Sequence, residues 1–275
     1  MKPFFATSAW VTVRESLVLR GGRRLNIRLP VRYGLIVHPT MGAVLIDTGY
    51  TSHSIQDVGR SSLLRFYDNI LRPELHHAQQ PVPFLASFGL TPQDVRFVIV
   101  SHFHADHISG LTMFPSAHFI ANDQAWSRLS KRSIFGNLRH GIFPELIPND
   151  FEDRLIRLSS LPKAAALHGL PQGIDLFGDG SMIAIDLPGH ADGHFGILFT
   201  TTTTPLLYGV DAEWLRQAVI EARMPGYPAR LIAQNVPAAK TTNSLLRRFM
   251  ASCGELILCH DPKPTAYDFA SGDGA

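Results

Sequence analysis

Apolar residues gather along this chain in short runs bounded by Gly, Pro and polar residues, and runs of that length and bounding predict strands. They fall at Trp10–Val18, Tyr33–His38, Ala43–Asp47, Val95–Val100, Ala117–Ala121, Met182–Leu187, Phe195–Thr200, Leu206–Val210 and Leu256–Cys259. Between them, helical patterning runs over Ser61–Ile70, Asp123–Lys131, Trp214–Ala222, Ala229–Gln234 and Thr242–Ala251. The strand count suits a two-sheet core, and the mixture with helices makes the fold class α/β. Thr51–Pro92, rich in Pro and His, and Asn122–Gly173, which mixes Arg, Phe, Pro and Gly, read as insertions at about 51–92 and 122–173 over a rigid core. Loops of that length are commonly functional. Thr200–Thr204 before Pro205 reads as an exposed hairpin turn, and the tail after Pro264 as frayed. There is no internal repeat.

With 275 residues, the chain is long enough to build a self-supporting core, and we read residues 1–275 as one domain. Hydrophobic residues at 45% and charged residues at 17% are the balance of a globular protein, which excludes a disordered or fibrous one. A net charge of +2 is too mild to mark a nucleic-acid surface. Cys253 and Cys259 match neither a disulfide framework nor paired zinc-ligand spacing, so both are expected to be buried thiols. Met1–Phe5 carries one positive charge, but no apolar h-region or small-residue cleavage site follows. No run approaches the ~18 apolar residues of a membrane span, and the expected location is cytoplasmic.

The chemistry begins where the strand Val95–Val100 runs into His102-Phe103-His104-Ala105-Asp106-His107. In extended chain, side chains alternate, so His102 and His104 point the same way and can reach one ion. A helix starting within Asp106–Phe114 changes direction there, which lets Asp106 and His107 swing toward a second ion. Three His and one Asp at these offsets should arise by composition on the order of once in several hundred such chains. Three more candidates follow predicted strands: His190, Asp211 and His260. Strand ends sharing one sheet edge converge in space.

This ordered set resembles the metallo-β-lactamase superfamily, whose pattern is His-x-His-x-Asp-His, a later His, a bridging Asp and a final His. The resemblance spans Ala43 to His260 and includes Leu45-Ile46-Asp47-Thr48-Gly49, which looks like the family's early Asp-x-Gly element. It implies an αβ/βα four-layer sandwich, two mixed sheets packed face to face with helices outside. It also implies that His102, His104 and His190 hold one metal, that Asp106, His107 and His260 hold a second, and that Asp211 bridges them. Two divalent ions, two carboxylates and a bridging hydroxide sum to about +1, which suits stabilising an oxyanion. Imidazole and carboxylate donors favour zinc, and the same set accepts manganese, iron or cobalt. His104 argues against the flavin-linked iron branch, which usually has Glu there. Asp211 argues against the true β-lactamases, which lack it. Asp47 is either a turn former or an acceptor that fixes a ligand histidine. His194, four residues after His190, is expected to be a structural hydrogen-bonding residue. The remaining histidines, such as His53, His76, His77, His118 and His168, read as surface or loop residues.

The expected reaction is hydrolysis of an ester carbonyl by a metal-bridging hydroxide, with Asp106 and Asp211 as catalytic carboxylates and Asp106 as proton carrier. The arrangement looks most like the N-acyl homoserine lactone lactonases, in chain length, ligand order, the Pro188-Gly189-His190-x-x-x-His194 element and the terminal His260-Asp261 pair. The expected substrate is a small molecule, an acyl lactone. Glyoxalase II-like thioesterases and phosphodiesterases share the core, and a ligand-binding protein with vestigial activity is a further alternative. In one departure, those lactonases usually carry a Tyr three residues after the bridging Asp, and here that residue is Trp214. It either lines the pocket or packs in the core. Tyr208 and Tyr227 could offer a phenol, but sequence places neither. Phe135, Ile142, Phe143 and Phe151 are candidates for an acyl pocket or for plain core. Arg128, Lys131, Arg132, Arg139 and His140 are either a phosphate or carboxylate receiver or a solvated helix face.

Overall fold

The computed structural model describes residues 1–57 and 59–270. Its first sheet is built from β1 (Phe4–Arg14), β2 (Asn26–His38), β3 (Gly42–Ile46), β4 (Glu74–Leu75), β5 (Val95–Val100), β6 (His118–Ala121) and β7 (Leu155–Arg157). The spatial order is β4-β1-β2-β3-β5-β6-β7, antiparallel from β4 to β3 and parallel from β3 to β7. The second sheet holds β8 (Lys163–Ala164), β9 (Gly173–Asp175), β10 (Met182–Asp186), β11 (Phe195–Phe199), β12 (Leu206–Tyr208) and β13 (Glu255–Ile257). Its order is β13-β12-β11-β10-β9-β8, with β12 and β13 parallel and the other neighbours antiparallel. Both sheets are mixed.

Strand alternation explains why the second sheet can be covered on both faces. Met182 and Ala184 of β10, with Ile197 and Phe199 of β11, join the large core that also takes Phe5, Tyr33, Leu45 and Phe119 from the first sheet. The intervening Ile183, Ile185 and Leu198 turn the other way, against Leu246 and Phe249. Those two residues belong to the long helix at Val236–Ala251, so a helix covers the outer face and the layers follow the αβ/βα order expected.

In chain order the helices are α1 (Glu15–Val18), α2 (Ser52–Gln56), α3 (Ser62–Leu71), α4 (Pro81–Ala86), α5 (Ala105–Ile108), α6 (Asp123–Lys131), α7 (Ile134–Leu138), α8 (Arg216–Ile220) and α9 (Val236–Ala251). Several expectations need correction. The first strand starts at Phe4 and stops at Arg14, because Glu15 opens a helical turn whose carboxylate is held by the backbone and guanidinium of Arg23. The strand expected at Tyr33–His38 begins at Asn26; its charged first half is carried by pairing with β1 rather than by apolar content. The segment Ala229–Gln234 is only a short 3-10 turn at Ala229–Leu231, and α9 begins at Val236 rather than Thr242. Cys253 is exposed, at the turn after α9 with φ +66°, while Cys259 is buried. The tail is ordered through Ala270: Asp268 pairs with Arg32 at 2.7 Å, and Phe5 exchanges backbone hydrogen bonds with Tyr267 and Phe269. Residues 271–275 lie outside the described residues. Among the described residues, no helix is long and apolar enough to cross a membrane.

Candidate metal centre

Asp47, His102, His190, Asp211 and His260 all stand just past strands that run in parallel within their sheets, so they gather at one edge of the sandwich. β3 and β5 are paired in parallel, and β10, β12 and β13 share a direction because β11 reverses between β10 and β12. His104 precedes α5, and Asp106 and His107 ride on it.

Two groups of donor atoms result, each with its atoms within 4.8 Å of one another: His102, His104, His190 and Asp211, and His107, Asp211, Cys259 and His260. In the first, His104 Nδ1 approaches His102 Nε2 at 3.0 Å and His190 Nε2 at 2.9 Å. Asp211 faces both groups. Its Oδ2 lies 3.3 Å from His190 Nε2 and 3.2 Å from His260 Nε2, and its Oδ1 lies 3.5 Å from His107 Nε2. Asp106 Oδ2 lies beside the second group, 3.5 Å from His260 Nε2 and 3.6 Å from His107 Nε2. Cys259 is a member the sequence did not suggest. Its thiol is buried and donates to the Arg32 carbonyl at 3.3 Å.

The side chains behind these atoms fix their orientation. Asp47, fully buried at φ +58°, accepts from Ser101 N at 2.8 Å and Ser101 Oγ at 2.7 Å, and its Oδ2 takes the Nδ1 proton of His107 at 2.8 Å. His260 Nδ1 donates to the Pro30 carbonyl at 2.8 Å. His194 donates from Nδ1 to the Leu187 carbonyl at 2.9 Å and accepts the Asp211 backbone N–H at Nε2, 3.2 Å. That bond fixes its tautomer and leaves neither ring nitrogen free to serve as a ligand.

Burial and neighbouring imidazoles hold His102 and His190 well below the usual histidine range, and burial takes His104 down to about 4. All three are therefore neutral at pH 7 and carry lone pairs ready for a cation. Burial opposes ionisation of Asp106, yet His107 and His260 hold it down to about 2. The fit to metal rests on two atoms. Among the described residues, His107 Nε2 and Asp211 Oδ1 are buried and have no hydrogen-bond partner. A polar atom stranded this way costs on the order of 1–3 kcal/mol unless something neutralises it. A cation between the donors satisfies both.

The surroundings sort the remaining candidates. Trp214 is partly buried, with its ring edge-on to His190 at 6.3 Å, and lines a narrow cleft together with His190, Asp211, Met224 and Arg230. Phe135 is 80% exposed, and Phe143 is buried against Tyr67 at 5.0 Å. Phe151 stacks on Phe119 at 4.9 Å as core. His140 is partly buried, next to Arg132 and Asp192. Arg132 and Arg128 both engage Asp192, at 2.8 and 3.7 Å, so these two arginines are tied to the loop between His190 and His194. Tyr208 is buried with its hydroxyl on the Arg32 carbonyl at 3.0 Å, and Tyr227 is 70% exposed. Tyr67, a residue sequence reasoning missed, packs on Phe143 with its hydroxyl near Gly141; burial first, and the charge of Asp106 second, push its phenol well above the ordinary tyrosine range.

Comparison with known proteins places this geometry. The chain is 26% identical over 249 residues to the N-acyl homoserine lactonase AttM of Agrobacterium fabrum, covering 90% of this chain and 88% of that one. Its fold matches B. thuringiensis AiiA, solved with N-decanoyl-L-homoserine bound at the active site, with a TM-score of 0.69 at 17% identity over 95% of this chain and 93% of that one. It also matches AidC, described as a dizinc quorum-quenching lactonase, with a TM-score of 0.64 at 16% identity over 95% and 88%. Residues 27–208 match the model of the metallo-beta-lactamase superfamily, and the chain belongs to that family.

Proposed function

We propose that this chain is a dinuclear metal-dependent hydrolase that opens an acyl lactone. The observation that carries the reading is the pair of donor groups sharing Asp211, with two buried atoms of the second group, His107 Nε2 and Asp211 Oδ1, placed where a cation would satisfy both. The likeness to lactonases over nine-tenths of the chain supports the lactone in particular. In this reading His102, His104 and His190 hold one ion, Asp106, His107 and His260 the other, and Asp211 lies between. The donor set favours zinc. The segments at about 51–92 and 122–173 are insertions that shape the opening of a single domain.

Divalent ions bound there supply a deprotonated water at neutral pH and a Lewis acid for the carbonyl oxygen. The chain's own residues do the rest. Asp47, His194 and the Pro30 carbonyl hold His107, Asp211 and His260 in place, so little reorganisation is needed during reaction. Asp106 is ionised and 14% exposed, placed to accept the proton released by the attacking water and return it to the departing alkoxide.

The test is a panel of acyl lactones of several chain lengths, thioesters, phosphodiesters and β-lactams, read as kcat/KM alongside metal content by elemental analysis. Acyl lactones should lead, with a stoichiometry near two metals per chain, and Asp211→Ala should abolish turnover even at saturating substrate. Phosphodiester turnover about a hundredfold above every lactone, a gap of nearly 3 kcal/mol in transition-state stabilisation, would overturn the choice.

A further inference from the structure

Alternation along the last strand decides where the Cys259 sulfur goes. Leu256 and Leu258 join the outer cluster with Leu246 and Phe249 of α9, while Ile257 and Cys259 enter the core between the sheets. The sulfur is fixed there from β2. The Arg32 N–H donates to the Cys259 carbonyl at 3.4 Å, and the thiol, fully buried, donates to the Arg32 carbonyl at 3.3 Å. Cys259 Sγ and ligand atoms of His107, Asp211 and His260 all lie within 4.8 Å of one another. Two atoms of this set, His107 Nε2 and Asp211 Oδ1, are buried and have no hydrogen-bond partner among the described residues. The first donor group contains no sulfur, so the two halves of the centre differ in chemistry. Cys253, the other cysteine of the chain, is exposed beyond α9 and belongs to neither group.

We infer that the Cys259 thiolate is a ligand of the second ion, which makes that half of the centre a mixed nitrogen, oxygen and sulfur site. The inference rests on the dinuclear reading and adds a donor to it. With His107, His260 and Asp211, the sulfur completes a set of four donors. Four is the number zinc favours, and thiolate is one of its usual ligands. Asp106, at 3.5 and 3.6 Å from the same two imidazoles, falls outside that set, so retention of the ion depends less on its carboxylate. On binding, the thiol proton passes to solvent and the sulfur electron pair turns to the cation. The bond to the Arg32 carbonyl is lost with that proton. A replacement donor stands at hand, because the Tyr208 hydroxyl bonds the same carbonyl at 3.0 Å and needs only to turn toward the sulfur. A soft donor on one side also sorts metals, since thiolate favours zinc over manganese.

The experiment is X-ray absorption on the zinc-loaded wild type, with two ions per chain established first by elemental analysis. A sulfur shell at about 2.3 Å should accompany the nitrogen and oxygen scatterers, at about one sulfur for every two zincs. Cobalt supplies a matching optical signature. Apoprotein given two equivalents of cobalt(II) should show a near-ultraviolet sulfur-to-metal charge-transfer band, kept in Cys253→Ser and lost in Cys259→Ser. Serine preserves a donor to the Arg32 carbonyl, so the metal-free variant should melt with the wild type; if it does not fold, the sulfur shell of the wild type decides alone. A two-zinc wild type without that shell, or a cobalt band that survives Cys259→Ser, would overturn the ligand. A wild type that takes up fewer than two ions at saturating metal would instead overturn the dinuclear reading, an outcome read from stoichiometry before any spectrum.

Discussion

Asp47 has both carboxylate oxygens engaged inside the protein, on Ser101 and His107, with no solvent to replace either bond. Asp47→Ala strands the Ser101 amide and frees the His107 ring to rotate. Metal affinity at the second group should fall about 10- to 100-fold, the usual effect of removing a carboxylate behind a ligand histidine. Competition with a chromophoric chelator measures it, and retained affinity would show that His107 holds its pose unaided. At this scale the sequence was informative wherever donors follow a fixed order along the chain. His102, His104, Asp106, His107, His190, Asp211 and His260 all lie at the one edge, as their positions after predicted strands suggested. Tyr67 was invisible for the opposite reason. It sits in no motif, and only the docking of α3 on Phe143 and Gly141 brings it toward His104. Cys259 was similarly hidden, because adjacency to His260 says nothing about which way a thiol turns at a strand end.

Elements carry the next level of control. Gly189, at φ +131°, lies so close to α9 that a Cβ would fall 2.4 Å from the backbone N and Cα of Ala239. The α9 N-terminus in turn bonds this loop: Asn235 N–H reaches the Gly189 carbonyl at 3.0 Å, and Gln234 N–H reaches that of His190 at 3.2 Å. Gly189→Ala must push helix and loop apart, so the first group should lose its ion while the second retains one, giving about one metal per chain by elemental analysis. In the segment before β4, burial raises Asp68 from 3.8 to about 6 although Arg60 Nη1 bonds it at 2.7 Å. The folded chain holds that proton more tightly than the unfolded chain. This carboxyl therefore favours the fold at low pH and ceases to as pH rises from 3.8 to about 6. Stability curves of wild type and Asp68→Asn should diverge across that window and run parallel above it; curves parallel throughout would show the shift to be absent. Buried strands such as β5 and β10 were legible from their apolar runs. The first half of β2 was not, since Arg28 and Pro30 mask it and only the partner strand β1 makes it extended.

Across the whole molecule, the α/β class was readable from apolar strand runs mixed with helical patterning, and the layered order from the family resemblance that the ordered ligand set carries. What sequence could not supply was the closure of the far end of the chain. Arg32, 3% exposed on β2, donates to the carbonyls of Leu258, Asp261 and Lys263 and to Asp268, and so clasps the segment that presents His260. A charged residue in a strand carries no periodic signal of such a role. Metal also ties distant parts of the chain. His104 and His190 are 86 residues apart, and Asp211 and His260 are 49 apart. Ions that bind only the folded protein at about a thousand times their dissociation constant add about 4 kcal/mol, so removal by chelator should lower the melting temperature by about 10 °C, read by calorimetry. An unchanged melting temperature would count against resident metal.

The sharing of Asp211 by both donor groups has a kinetic side. An ion held there closes large loops much as a covalent staple does, and the chain cannot open across the two sheets until that ion departs. The lifetime of the folded protein against a protease would then be set by the residence time of its ions. Damage and turnover of the enzyme in a cell would follow the local supply of free metal, through a property that no activity assay reads.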